Sequence, residues 1–106
     1  MSRKDNMQSL VKEVTARFLG EEGNGTSLIT VTNCLISEDM KRGTVFITVL
    51  PEDKENAAIG FAKRKRREIR EVLKKSLNTK IVPFIDIEID RGEKNRQKID
   101  ELLRGE

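Results

Sequence analysis

The chain has 106 residues, 37% of them charged and 36% hydrophobic, with a formal net charge of +3. It has no His, Trp or Tyr and one Cys, which excludes Ser-His-Asp and Cys-His catalysis, an internal disulfide and a multi-cysteine zinc site. No apolar run approaches the roughly 18 residues of a membrane span, the N-terminal MSRKDNMQSL lacks a signal-peptide apolar stretch, and a lone thiol without an export signal fits a cytoplasmic protein.

The length suits one domain, residues 1–106, with one modest core. Met7, Leu10, Val11, Val14 and Phe18 recur at helical spacing and predict a helix over residues 3–19. Gly20, Gly23 and Gly25 are expected to end it in a loose loop. Residues 28–37 are β-branched and apolar and predict a strand. Ile29 and Val31 share one phase of that strand, and Cys34 and Ile36 share the other. An extra residue shifts the pleat by one, so a bulge near Thr32 and Asn33 brings all four to the core face. Ser37-Glu38-Asp39-Met40-Lys41 reads as a turn. The following strand, over residues 44–50, puts Val45, Ile47 and Val49 on one face and completes a hairpin.

Pro51 stops that strand, and Asp53 is the expected cap of a helix entering at Lys54. The helical pattern runs to about Leu77, interrupted at Gly60, with Asn78 as C-cap. Ile85, Ile87 and Ile89 then alternate with Asp86, Glu88 and Asp90, which predicts a half-buried strand with an acidic outer face. Ile99, Leu102 and Leu103 predict a last short helix over residues 93–104. The order α-β-β-α-α-β with a short C-terminal helix predicts an α+β fold, a three-stranded sheet with helices on one face. The third strand arrives after a helical crossover and so can run parallel to a neighbour.

Charge is concentrated in one segment. Residues 1–50 hold six basic and six acidic side chains, residues 54–80 hold ten against three, and residues 81–106 hold five against seven. Such asymmetry points to an anionic partner. Wound as a helix, residues 61–77 gather Ala62, Ile69, Val72, Leu73 and Leu77 on one side. Lys63, Arg67, Arg70 and Lys74 form a stripe beside them, Arg64 and Lys75 lie farther round, and Lys65 and Arg66 fall toward the apolar side. The stripe is the main candidate phosphate contact, and with Arg64 and Lys75 it makes six candidate RNA-binding residues. A plain solvated face is the competing reading, but only Glu68 and Glu71 interrupt the run and like charges one turn apart cost stability.

Without Tyr or Trp, base-stacking platforms are not expected, and the acidic strand argues against RNA lying flat across the sheet. Gly20-Glu21-Glu22-Gly23 has a GxxG spacing, but its two carboxylates would repel phosphate. Asp86, Glu88 and Asp90 are explained by strand alternation rather than by metal or acid–base chemistry, so no enzyme activity, metal, cofactor or small-molecule substrate is expected. Cys34 and Phe61 read as core residues. An alternative function is a protein-interaction module whose basic helix meets an acidic protein.

The segment Ala58-Ile59-Gly60 resembles the Ala-x-Gly interrupted-helix signature of the bacterial ribosome-binding factor A family, which replaces the GxxG loop of KH domains. Val31-Thr32-Asn33 with Ser37-Glu38-Asp39-Met40-Lys41, Val45-Phe46-Ile47-Thr48-Val49, Val82-Pro83 and Lys98-Ile99-Asp100-Glu101-Leu102-Leu103 are similar to further segments of that family, in register. The resemblance implies a KH-type-II-like monomer that binds the free 30S small ribosomal subunit. It further implies help in late maturation and 5′-end processing of 16S rRNA, and an association with growth in the cold. Ala58, Ile59 and Gly60 would then form the junction between two helical halves.

Overall fold

The computed structural model describes residues 3–22, 27–77, 81–93 and 96. Helix α1 spans Arg3–Glu22 and runs past the predicted end at residue 19. Gly20 faces solvent inside it, with open space where a Cβ would stand. An internal glycine costs about 1 kcal/mol relative to Ala, which the buried stripe of the helix offsets. Met7, Val11, Val14 and Leu19 are buried, and Leu10 and Phe18 pack against them. Thr15 sits in the same stripe, fully buried, and its hydroxyl has no hydrogen-bond partner among the described residues. A buried, unsatisfied hydroxyl costs about 1–3 kcal/mol. Thr15→Val keeps the shape and removes that oxygen, so it is expected to raise stability by about 1 kcal/mol. The urea midpoint checks this, and a fall in the midpoint would contradict it.

Strands β1 (Leu28–Ile36) and β2 (Arg42–Leu50) pair antiparallel. The register passes from Val31 opposite Ile47 to Asn33 opposite Phe46, which leaves Thr32 as the extra residue of a bulge. Ile29, Val31, Cys34 and Ile36 therefore all reach the core, as the two phases of the strand require. The connecting turn closes through Ser37 N–H donating to the Arg42 carbonyl at 2.9 Å. Met40 takes a left-handed φ of 61°. The Asp39 carboxylate accepts bonds from the Ser37 hydroxyl and the Lys41 N–H, which hold its pKa below the usual carboxylate value. Burial pushes the Cys34 thiol up to about 11, in keeping with a core residue rather than a nucleophile.

Beyond β2 the chain makes a short 3-10 turn at Glu52–Lys54 before helix α2, Glu55–Arg64. Asp53 lies inside that turn and does not cap α2; the capping position is Lys54, which makes no side-chain cap bond. The Lys54 N–H donates to the Pro51 carbonyl at 3.0 Å and the Glu55 N–H to the Glu52 carbonyl, so the 3-10 turn itself takes up the first N–H of α2 in place of a side-chain cap. Helix α3 spans Arg66–Ser76 and strand β3 spans Phe84–Ile89. Asn78 lies outside the described residues.

Strand β3 runs parallel to β2, from Phe84 beside Arg42 to Ile89 beside Ile47, and the sheet order is β1-β2-β3. Among the described residues both outer strands thus have a free edge. Val45, Ile47 and Val49 of β2 and Ile85 and Ile87 of β3 face Val11, Ala58, Ala62, Ile69 and Leu73, so α1, α2 and α3 share one face of the sheet. The architecture is the α+β arrangement that the element order predicts, a three-stranded sheet with helices on one face. Val72 is the exception to the predicted apolar side, being 36% exposed.

The end of β3 is tied to the bulge. Asp90 N–H donates to the Ile47 carbonyl at 2.8 Å, and its carboxylate accepts the Glu93 N–H at 2.9 Å and the Thr32 hydroxyl at 2.5 Å. The backbone bond from Glu93, then the Thr32 bond, hold the Asp90 carboxyl below its ordinary range. Asp90 thus acts as N-cap for residues 91–93 and 96, which are helical. The remainder of the predicted 93–104 helix lies outside the described residues.

Candidate nucleic-acid interface

Gly60 lies inside α2, not between two helices, and its φ is not in the left-handed region. The break falls five residues later, at Lys65, whose φ of −93° and ψ of 1° end α2 and begin α3. Ala58 and Ile59 pack α2 onto the core rather than forming a junction. The reason lies in the run Lys63-Arg64-Lys65-Arg66-Arg67. No apolar residue docks the chain between Ala62 and Ile69, and like charges three and four apart repel in a straight helix. The helix yields where packing is weakest and repulsion greatest.

The bend is hydrogen-bonded rather than open. Lys65 N–H donates to the Ala62 carbonyl at 3.1 Å, and Arg66 Nε donates to the Lys63 carbonyl at 2.9 Å. A Cβ at Gly60 would meet only the far end of Arg64, at 3.4 Å. Gly60→Ala is therefore expected to keep the fold and to leave the melting temperature unchanged or raise it, by up to about 1 kcal/mol of helix propensity. Thermal denaturation followed by circular dichroism measures this, and a clear drop would restore the glycine to a special backbone role.

The six candidate contact residues divide by what each side chain already touches. Lys63 Nζ lies 3.7 Å and Arg66 Nη1 3.0 Å from Asp86, on the outer phase of β3. Asp86 is 45% exposed, so these pairs are worth at most about 1 kcal/mol. They nonetheless cancel one charge of the predicted acidic strand face. Asp86 also accepts the Ile87 N–H at 2.8 Å, which satisfies part of the strand's backbone locally.

Arg70 is not the free phosphate ligand that the stripe predicts. It is half-buried, its Nη2 donates to the Val82 carbonyl at 3.1 Å, and its guanidinium carbon stands 4.1 Å from the Phe84 ring centroid. Helical winding explains this, since Arg66 and Arg70 lie one turn apart beside the buried Ile69 and Leu73. Both side chains reach the β3 edge.

Lys74 pairs with Glu71 at 3.4 Å. Lys65 pairs with Glu68 at 3.3 Å and covers the Phe61 ring. Arg64, Arg67 and Lys75 are exposed, with no ion-pair partner among the described residues. The available charge therefore sits at the bend and on the outward side of α3. Lys63 and Lys74 flank it in weak surface pairs that phosphate can displace.

Sequence reasoning missed Phe84. The available signal was its phase: it shares the outward phase of Asp86 and Glu88, and an aromatic there has no core to fill. No group of His, Cys, Asp and Glu among the described residues is placed to hold a metal ion. No helix among them is long and apolar enough to cross a membrane.

The sequence matches the family model described as ribosome-binding factor A over residues 3–103. A protein of that name from Rhodopseudomonas palustris (strain BisB5) is 30% identical over 107 aligned positions, covering 96% of this chain and 79% of the relative. Among solved structures, the crystal structure of ribosome-binding factor A from Thermus thermophilus superposes with a TM-score of 0.73 at 19% identity, covering 83% of this chain and 96% of that one. A Thermus thermophilus homology model of ribosome-binding factor A, fitted into a cryo-EM map of a 30S complex, gives a TM-score of 0.68 at 19% identity, covering 79% of this chain and 91% of that one.

Proposed function

From the premise that the chain belongs to the ribosome-binding factor A family, we propose that it is a single KH-like domain that binds the free small ribosomal subunit as a cytoplasmic, non-catalytic assembly factor. It acts as a monomer and assists late maturation and 5′-end processing of 16S rRNA. The observation that carries this reading is the family match across residues 3–103. The geometry supports it. Arg64 and Arg67 at the helical bend, and Lys75 in the last turn of α3, have no ion-pair partner among the described residues, so a phosphate backbone following α3 relieves the repulsion at the bend and reaches its far end. Phosphate contacts alone hold any RNA, so selectivity must come from shape and from the bases.

Co-sedimentation with separated subunits tests the proposal. Binding to small subunits is expected to exceed binding to large subunits and assembled ribosomes at moderate salt. In cells depleted of the protein, primer extension should show 16S rRNA with unprocessed 5′ ends. Equal sedimentation with both subunits would overturn the assembly-factor reading.

A further inference from the structure

Phe84 is the most exposed large hydrophobic residue among those described, with 66% of its surface open. It opens β3 on the outer face of the sheet, at an edge with no further strand beside it among the described residues. Its position is nevertheless well fixed. Its N–H donates to the Lys41 carbonyl at 2.9 Å, and one face of the ring carries the Arg70 guanidinium at 4.1 Å. Arg70 is itself held by the Val82 carbonyl. With one face taken and most of the residue exposed, the opposite face is open to a partner.

The surroundings say what kind of partner. Arg42 is the register neighbour of Phe84 on β2, exposed, and its side chain shares the outer face. Lys41 precedes it, also exposed. The nearest carboxylate along the strand, Asp86, is already engaged by Lys63 and Arg66. An exposed aromatic ring beside cations, with the local acid neutralised, suits a flat π-system that carries its own negative charge nearby. An unpaired nucleobase on a phosphodiester chain has both properties.

We infer that Phe84, backed by Arg70, is a stacking seat for one unpaired base of RNA, with Arg42 and Lys41 placed to meet the adjoining phosphates. The inference rests on the RNA-binding reading above and locates a contact within it. Arg70 acts as a positioning residue, since it fixes the ring rather than meeting phosphate. The seat supplies what phosphate contacts lack: it discriminates an unpaired base from a duplex, whose bases are already stacked.

Because the protein has no Trp or Tyr, Phe84→Trp introduces a unique fluorophore at the seat. Single-stranded RNA is expected to quench the indole, and an abasic oligonucleotide with the same number of phosphates is not. In parallel, Phe84→Ala is expected to weaken small-subunit binding about 5- to 100-fold, the range of one base–aromatic stack. The slope of log affinity against log salt should stay unchanged, since no phosphate contact is lost. Phe84→Leu should fail to restore affinity and Phe84→Tyr should restore it, which separates stacking from mere apolar bulk.

Wild-type affinity in Phe84→Ala, or equal quenching by the abasic chain, overturns the seat and leaves the small-subunit reading standing. Loss of subunit affinity with no quenching by any single-stranded RNA assigns the ring to a protein contact and also overturns it. If the wild-type protein binds no subunit, the small-subunit reading fails on its own, and the oligonucleotide quench still decides the seat.

Discussion

The double variant Arg64→Glu/Arg67→Glu is expected to fold as the wild type does and to lose affinity for small subunits on the order of 100-fold. Both side chains are exposed and without ion-pair partners among the described residues, so the core does not use their charges. Reversal removes two phosphate contacts and adds two repulsive ones. If three or four phosphates are met by Arg64, Arg67, Lys75 and a flanking lysine, and up to two more by Lys41 and Arg42, the wild-type salt slope should be about −2 to −5. Each single Gln substitution should flatten it by about one unit or less. Arg70→Glu makes the instructive contrast. It breaks the bond to Val82 and the stack on Phe84, so it is expected to lower the melting temperature as well as the affinity. Circular dichroism and co-sedimentation across a salt series separate the two behaviours. A well-folded double reversal with wild-type affinity would show that the bend is only a solvated surface.

The largest expected loss of stability follows Leu73→Ala. Leu73 has no exposed surface, and it faces the sheet from α3 one turn after the equally buried Ile69. Truncating a fully buried Leu costs about 3–5 kcal/mol through lost burial and the cavity left behind. A domain of this size has only about 5–15 kcal/mol to lose, so the melting temperature should fall by about 10–30 °C. Val72→Ala, one residue away on the 36% exposed side, should cost less than about 1 kcal/mol. Urea titrations of the two variants with unchanged m-values would establish the difference. Equal midpoints would mean that α3 does not dock on the sheet through the Ile69 and Leu73 side.

Of these two positions, buried Leu73 is where sequence reading succeeds and exposed Val72 is where it fails. The period-2 and period-3.6 spacing of apolar residues identified the strands, the helices and most of the core, because burying one face of each element leaves a trace in the order of residues. Even the Thr32 bulge was legible, since the apolar phase of β1 inverts there and only an inserted residue reconciles the two halves. The Ala-x-Gly match was legible as a motif but misleading about position. Gly60 weakens a helix without obliging it to break, and the break follows charge repulsion and absent packing at Lys65.

Sequence by itself determined the element order, the core faces, the concentration of positive charge in residues 54–80 and the family resemblance. Each of these depends on residue type and near-neighbour spacing. Only the tertiary structure decided which cations are available. Arg70 and Arg67 look alike on a helical projection, yet one is drawn to Val82 and Phe84 by the closeness of the β3 edge while the other stays in solvent. That closeness is set by the parallel pairing of β3 with β2 and the docking of α3 beside it. Contacts between residues distant along the chain leave no periodic signal, so the outward phase of Phe84 was legible, but neither the commitment of Arg70 nor its backing of the Phe84 ring was visible before the fold brought them together.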